Sequence, residues 1–198
     1  PLMITSTIAY LTSKYFVPHS IYNMQLAKRG ECPYVATIRE RRLGLPTSAS
    51  YEHGKNVLRV RTGNMFNQTS RIEKGLTMLV MNRTLLSNVK KYWGDVKFDL
   101  IVASTPYTAN HTLISGLKSH FGCPTFLILW DIFPQNAKDL GFIKNKYIFD
   151  LLKRREIKSL KLFEYIGCMT KGNMKYLIKN YPFVDSDQLC FFPLWASN

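Results

Sequence analysis

The chain has 198 residues, 46% of them hydrophobic and 20% charged, a globular mix long enough for one large domain or two small ones. That composition excludes disorder, a collagen repeat and a coiled coil as whole-chain readings. Lys and Arg number 27 against 13 Asp and Glu, a net charge of +14, which points to anionic partners: nucleic acid, an acidic membrane or phosphorylated ligands.

The predicted elements alternate almost from end to end. Ile4–Thr12 reads as a strand and Ser20–Arg29 as a helix, with Lys28 and Arg29 in its last turn and Gly30 as its stop. Pro33–Ile38 and Val57–Thr62 read as strands, and Arg39–Asn56 between them as a polar, basic loop. Ser70–Trp93 is a long helix with apolar positions at Ile72, Leu76, Leu79, Val80, Leu86, Val89 and Trp93. Then come a buried strand at Phe98–Ala103, a helix at Tyr107–His120 and a buried strand at Pro124–Trp130. Asn145–Glu164 is a basic helix, Tyr165–Met169 a short strand, Gly172–Asn180 a helix and Leu189–Phe192 a last strand. Strands of four to eight residues without strict alternation fit burial on both faces. The pattern predicts a Rossmann-like, doubly wound α/β fold: a mostly parallel sheet of about seven strands with helices on both faces.

The longest apolar stretches fall short of the ~20 residues that span a bilayer, and Pro1–Ala9 has no basic segment ahead of its apolar part, so it does not read as a signal peptide. The four cysteines, Cys32, Cys123, Cys168 and Cys190, form no CxxC pair. A reducing compartment is therefore expected, and neither a disulfide framework nor a zinc site.

In an open parallel sheet, ligands bind outside the carboxyl ends of the strands. Tyr15, Phe16, Pro18 and His19 follow the first predicted strand; Ser104, Thr105, Pro106 and Tyr107 follow the fourth. Trp130, Asp131 and Phe133 follow the fifth, Thr170, Lys171 and Gly172 the sixth, and Pro193 and Trp195 the last. This rim is polar and aromatic, with one carboxylate, several cations and helix N-termini whose free N–H groups favour anions. It suits a phosphorylated ligand carrying a sugar. Turns collect Ser, Thr, Pro and Gly in any case. Asp131 stands apart, because it directly follows the apolar run PTFLIL. It is either a site carboxylate or the N-cap of a Pro134–Leu140 segment. GxGxxG, GxxxxGK[ST], HExxH and GxSxG do not occur, and no histidine pair has metal-ligand spacing, so no metal is expected.

Six stretches resemble blocks of one family, in the same order. SKYFVPH (Ser13–His19) resembles S-Q-Y-F-x-P-E; LAKRGECPYVAT (Leu26–Thr37) resembles L-x-K-R-G-H-E-V-x-V-x-T; FDLIVASTPY (Phe98–Tyr107) is similar to P-D-V-V-I-A-T-S-P-P. LILWDIFPQNAKDLGFIKN (Leu127–Asn145) is similar to D-[IL]-[WFY]-P-[ED]-x-A-x-x-L-G and is the most specific of the six. MTKGNMKYLIKN (Met169–Asn180) resembles L-T-E-G-M-K-x-Y-L, and LCFFPLWAS (Leu189–Ser197) resembles I-x-V-I-P-N-W-x-D. The family is glycosyltransferase family 4, in the branch that builds O-antigen and capsule repeats. His19, Lys171 and Leu194 depart from its pattern, where Glu, Glu and Asn are usual.

The resemblance implies one Rossmann-like half of a two-domain GT-B enzyme, the acceptor-binding half of a retaining glycosyltransferase. It implies that residues 1–198 form this single N-terminal domain. The nucleotide-sugar donor belongs to a C-terminal half met at the Pro193–Trp195 junction, so this domain binds no cofactor and alone does not catalyse transfer. Asp131 would orient the acceptor's reacting hydroxyl. Tyr15, Phe16, His19, Ser104, Thr105, Tyr107, Trp130 and Phe133 would contact the acceptor, with Thr170, Lys171 and Gly172 on its phosphate. Acceptors in this branch are polyprenyl-diphosphate-linked glycans, which implies a peripheral protein on the cytoplasmic face of the membrane. The charge fits: Phe142–Phe163 carries Lys144, Lys146, Lys153, Arg154, Arg155, Lys158 and Lys161 against Asp150 and Glu156. On Ser70–Trp93 the expected membrane contacts are Arg71, Lys74, Met78, Met81, Lys90 and Lys91, beside Met65 and Phe66. Nucleic acid is not the expected partner, because the basic residues are spread through helices and loops without a recognised motif.

Overall fold

The structure is a computed structural model that describes residues 2–6, 32–65, 69–104 and 107–193. The expected helix at Ser20–Arg29 and most of the expected strand at Ile4–Thr12 lie outside the described residues. The chain divides into two compact units: residues 1–102 with 112–123, and residues 103–111 with 124–198.

In the first unit, β1 (Leu2–Ser6) pairs in parallel with β2 (Cys32–Glu40), Leu2 opposite Cys32 and Ser6 opposite Ala36. On its other side β2 pairs in parallel with β4 (Lys55–Thr62), Val35 opposite Val57 and Ile38 opposite Val60. These strands put Val35, Ala36, Ile38, Val57, Leu58 and Val60 in the core. One element departs from expectation. Within the stretch read as a loop, β3 (Ser48–Glu52) pairs antiparallel with β4. His53 and Gly54 form its two-residue turn with φ of +48° and +77°. Positive φ at both positions is the geometry that matches the twist of a hairpin. Arg59 on β4 holds Glu52 on β3 through two hydrogen bonds, Nη1 to Oε1 at 2.6 Å and Nη2 to Oε2 at 2.7 Å.

The long helix α1 (Arg71–Trp93) starts where the sequence places it. Ser70 Oγ accepts the Glu73 N–H at 3.1 Å, capping the first turn. Thr77, Met81, Leu85, Val89 and Trp93, spaced by four, are buried and form its inner face. Trp93 and Phe98 each meet the Tyr34 ring edge-on at 5.1 Å, and Phe121 meets Phe98 at 4.8 Å, a geometry favoured by the ring quadrupoles. Phe121 ends α2 (His111–Phe121), whose Leu113, Ile114 and Leu117 are buried; α2 follows β5 (Leu100–Ser104).

In the second unit, β6 (Thr125–Leu129), β7 (Tyr165–Cys168) and β8 (Leu189–Phe191) are parallel neighbours. Leu129 is opposite Cys168, and Cys168 opposite Phe191. Thr125 sets the start of β6: its N–H donates to Glu164 Oε2 at 2.8 Å and its hydroxyl to the Leu162 carbonyl at 2.6 Å. A Cβ on Gly167 would lie 2.8 Å from the Phe126 ring and 3.0 Å from Phe192 Cβ. The missing side chain lets these two rings, 5.6 Å apart, pack over β7. The unit's helices are the short α3 (Gln135–Asp139), α4 (Lys146–Leu160) and α5 (Lys171–Asn180). Asn145 caps α4 by accepting the Tyr147 N–H at 2.9 Å. Among the described residues no helix is long and apolar enough to cross a membrane.

Candidate functional site

The paired ends of β6, β7 and β8 fix one edge of the second unit. Leu129, Cys168 and Phe191 are in register, so Trp130, Met169 and Phe192 leave the sheet side by side, and the Phe192 N–H donates to the Cys168 carbonyl at 2.8 Å. Trp130, Asp131, Phe133, Thr170, Lys171, Gly172 and Pro193 therefore all sit at this edge, the position where open parallel sheets bind ligands. Ser104 closes β5, and Tyr107 opens the 3₁₀ turn Tyr107–Asn110 after it. Tyr15, Phe16, His19, Thr105 and Trp195 lie outside the described residues.

Asp131 is exposed, and it has no hydrogen-bond or ion-pair partner among the described residues. Of its two sequence readings, the helix cap is excluded. The N-cap of α3 is Pro134, with no side-chain cap, and the Asn136 N–H is taken by the Ile132 carbonyl at 2.9 Å. Trp130, Ile132 and Phe133 flank Asp131 half-buried, and the Phe133–Pro134 peptide is cis. Both carboxylate oxygens are thus available to hydroxyl donors, beside aromatic surface on which a sugar ring can stack.

Across the edge, Thr170 is the N-cap of α5: its Oγ1 accepts the Asn173 N–H at 3.0 Å. Its hydroxyl oxygen is therefore committed to the helix. The Met174 N–H goes to the Thr170 carbonyl at 3.3 Å. Among the described residues this leaves the Lys171 and Gly172 N–H groups unused, together with an exposed Lys171 ammonium that has no acidic partner there. The positive end of the helix dipole and this cation suit an anion.

Two groups beyond β5, Asn110 and His111, are not singled out by sequence reasoning; Ser104, which ends β5, is. Asn110 is fully buried, and among the described residues neither of its amide atoms is hydrogen-bonded; Ser104 Oγ and His111 Nδ1 are also buried without partners there. Burial, and secondarily Lys158, lowers the His111 pKa, which favours the neutral ring. Only an Asn-His pair behind a predicted helix start marks them in the sequence. Two concavities lie elsewhere: one of about 240 Å³ in the first unit around Tyr51, Asn56 and Trp93, the other of about 300 Å³ in the second around Leu160, Phe163 and Phe183. In the first, Ser50 and Asn56 are already bonded to Glu52 and Cys32, and the second is lined mainly by apolar residues; the strand-end edge is the better candidate. Among the described residues no group of His, Cys, Asp and Glu could hold a metal.

The residues expected at a membrane divide. Lys74 is half-buried, and Met78 (49% exposed), Lys90 and Lys91 face outward on α1. Met81 does not: at 2% exposure it belongs to the inner row of α1 and fills the core. The outer face of α1 instead carries Ile72, Leu76, Leu79 and Val80, each more than half exposed, followed by Arg83.

No protein-family model and no curated protein matches the chain. Solved structures do. A structure described as trehalose-6-phosphate from E. coli bound with UDP-2-fluoro glucose superposes with a TM-score of 0.54 at 10% identity, over 90% of this chain and 42% of that one. An apo OtsA structure gives 0.52 at 13% identity, over 89% of this chain and 42% of that one. The chain thus spans about two-fifths of the length of these neighbours. Its fold resembles one Rossmann-like half of a GT-B architecture.

Proposed function

We propose that this chain is the acceptor-binding half of a retaining glycosyltransferase. In this reading it moves a sugar from a nucleotide-sugar onto a polyprenyl-diphosphate-linked glycan in surface-polysaccharide synthesis, at the cytoplasmic face of the membrane. The six ordered sequence blocks and the GT-B half-fold support the class. The observation that carries the site is Asp131: exposed, unpaired among the described residues and at the end of β6, where packing has no use for a carboxylate.

This chain's residues would bind and orient. Trp130 and Phe133 stack the acceptor sugar, Asp131 accepts a hydrogen bond from the reacting hydroxyl, and Lys171 with the first amides of α5 holds the acceptor's phosphate. Positioning of this kind supplies much of the rate in group transfer. The nucleotide-sugar would be held by a donor-binding half joined beyond Pro193. The test is transfer measured with both halves present. Asp131→Asn should lower turnover roughly tenfold or more and leave the melting temperature within a degree or so of the parent, because an exposed, unpartnered side chain contributes little to stability. Undiminished turnover would overturn the assignment.

A further inference from the structure

The second unit displays apolar side chains that its own core does not use. Leu140 is 71% exposed and Phe142 80%, on either side of Gly141. They are not on a loose loop. Gly141 (φ +77°) ends α3 in a left-handed turn, with the Gly141 N–H bonded to the Lys138 carbonyl and the Phe142 N–H to the Ala137 carbonyl, both at 2.9 Å. In such helix ends the residue after the glycine often packs back on the helix; Phe142 projects outward. Four residues on, α4 begins, and its outer face continues the surface. Tyr147 (85%), Ile148 (51%) and Leu151 (59%) are exposed.

Helical spacing puts Arg154, Arg155 and Lys158 on the same face, one and two turns further along, and all three are exposed. The inner face of α4 holds Glu156, Ser159 and Leu160, all buried. The stripe is therefore apolar and aromatic at one end and cationic at the other. Lys144 and Lys146 add charge beside its apolar end, and neither they nor Arg154 and Arg155 have an acidic partner among the described residues. A face packed on protein would leave unpaired cations beside buried apolar groups. A bilayer with anionic headgroups takes both: the apolar end enters the acyl boundary and the cations stay among the phosphates. Ile72, Leu76, Leu79 and Val80, followed by Arg83, Lys90 and Lys91, repeat the order on α1.

We infer that the Leu140–Phe142 turn and the outer face of α4 form a bilayer-docking surface for anionic lipid. The inference deepens the proposed function and rests on it for the acceptor's location, since α3 and its turn follow Asp131 in the chain. The anionic membrane reached through this surface is the partner; the sequence reading counted the Phe142–Phe163 cations toward it but placed its individual membrane contacts on the Ser70–Trp93 helix.

The test is co-sedimentation of the whole chain with phosphatidylcholine vesicles, with and without phosphatidylglycerol, over a salt series. The vesicles contain no glycan acceptor, so the outcome is independent of transfer. The parent should bind only with phosphatidylglycerol and release as salt rises. Phe142→Ser with Tyr147→Ser should weaken partition about tenfold or more at all salt concentrations. Arg154→Gln with Arg155→Gln should weaken it and flatten the salt dependence. Asp131→Asn should bind like the parent, which separates this surface from the catalytic assignment. Phe142→Trp should retain binding, and brominated lipid should quench its added emission. Parent-like binding by both double variants, or no binding by the parent, overturns the inference. So does a sedimentation-velocity dimer abolished by Phe142→Ser while vesicle binding persists, which would make this face a self-association surface.

Discussion

Tyr181 donates a 2.6 Å hydrogen bond to Glu156 Oε1 in the interior of the second unit. Lys153 Nζ lies 2.8 Å from the other carboxylate oxygen and also reaches the Tyr181 hydroxyl. Glu156 and Tyr181 are 0% and 1% exposed, so the carboxylate is acceptable there only because its oxygens are met. Glu156→Ala should strand Lys153 and destabilise the protein by about 3–5 kcal/mol; Tyr181→Phe, which removes one donor, should cost about 1–3 kcal/mol. Urea titrations of the two variants check the order. Burial first, and Glu156 second, raises the Tyr181 pKa. A raised folded pKa gives stability that is present below the ordinary tyrosine value near 10 and lost above it. Parent protein should therefore unfold in alkali as Tyr181 ionises, and Tyr181→Phe should remove that step.

The hairpin pair has the opposite sign. Hydrogen bonds from Arg59 first, then Ser50, hold the Glu52 pKa down from 4.5 to about 2. Its contribution is therefore present above pH 4.5 and fades as pH falls toward 2. Carboxyl NMR titration should find Glu52 ionised at pH 3, and Arg59→Gln should return it toward the ordinary glutamate range.

Gly167 is a prediction about space. Gly167→Ala should destabilise by about 1–3 kcal/mol, because the added carbon must push Phe126 or the Phe192 Cβ aside. Phe126→Leu in the same chain should recover part of the loss, and a double-mutant cycle in urea measures the coupling.

Two neighbours on α1 should respond in opposite ways. Leu79 is 73% exposed and Met81 2%. Leu79→Asp should stay within about 0.5 kcal/mol of the parent, whereas Met81→Asp buries an unpaired charge and should cost more than about 3 kcal/mol. Chemical denaturation of the pair distinguishes them directly.

The contrast between Leu79 and Met81 also shows where sequence reading stops. α1 was legible in extent and cap, because Ser70 and the apolar spacing mark them. Which face turns inward was not, because apolar residues occupy both sides of its first half. The parallel strands were legible as apolar runs. β3 was not: SASYE is polar, and only the His53–Gly54 turn announces it. Asp131 was visible as a carboxylate after an apolar run, but its freedom from a capping role needed the structure. The Lys153–Glu156–Tyr181 cluster joins residues 25 and 28 positions apart, beyond any local pattern.

β3 also determines what the first unit shows to its surroundings. It is the terminal strand of its sheet, five residues long, with Ser48, Ser50 and Glu52 along it. Without it, β4 would offer its unpaired backbone, with Val57, Leu58 and Val60 beside it, to any other extended chain. Short, polar margins keep sheets from fusing at high concentration. Because β3 is also the return path that lets β4 run parallel to β2, a chain shortened between Glu40 and Lys55 would lose that pairing together with its polar margin and precipitate where the intact protein stays dispersed.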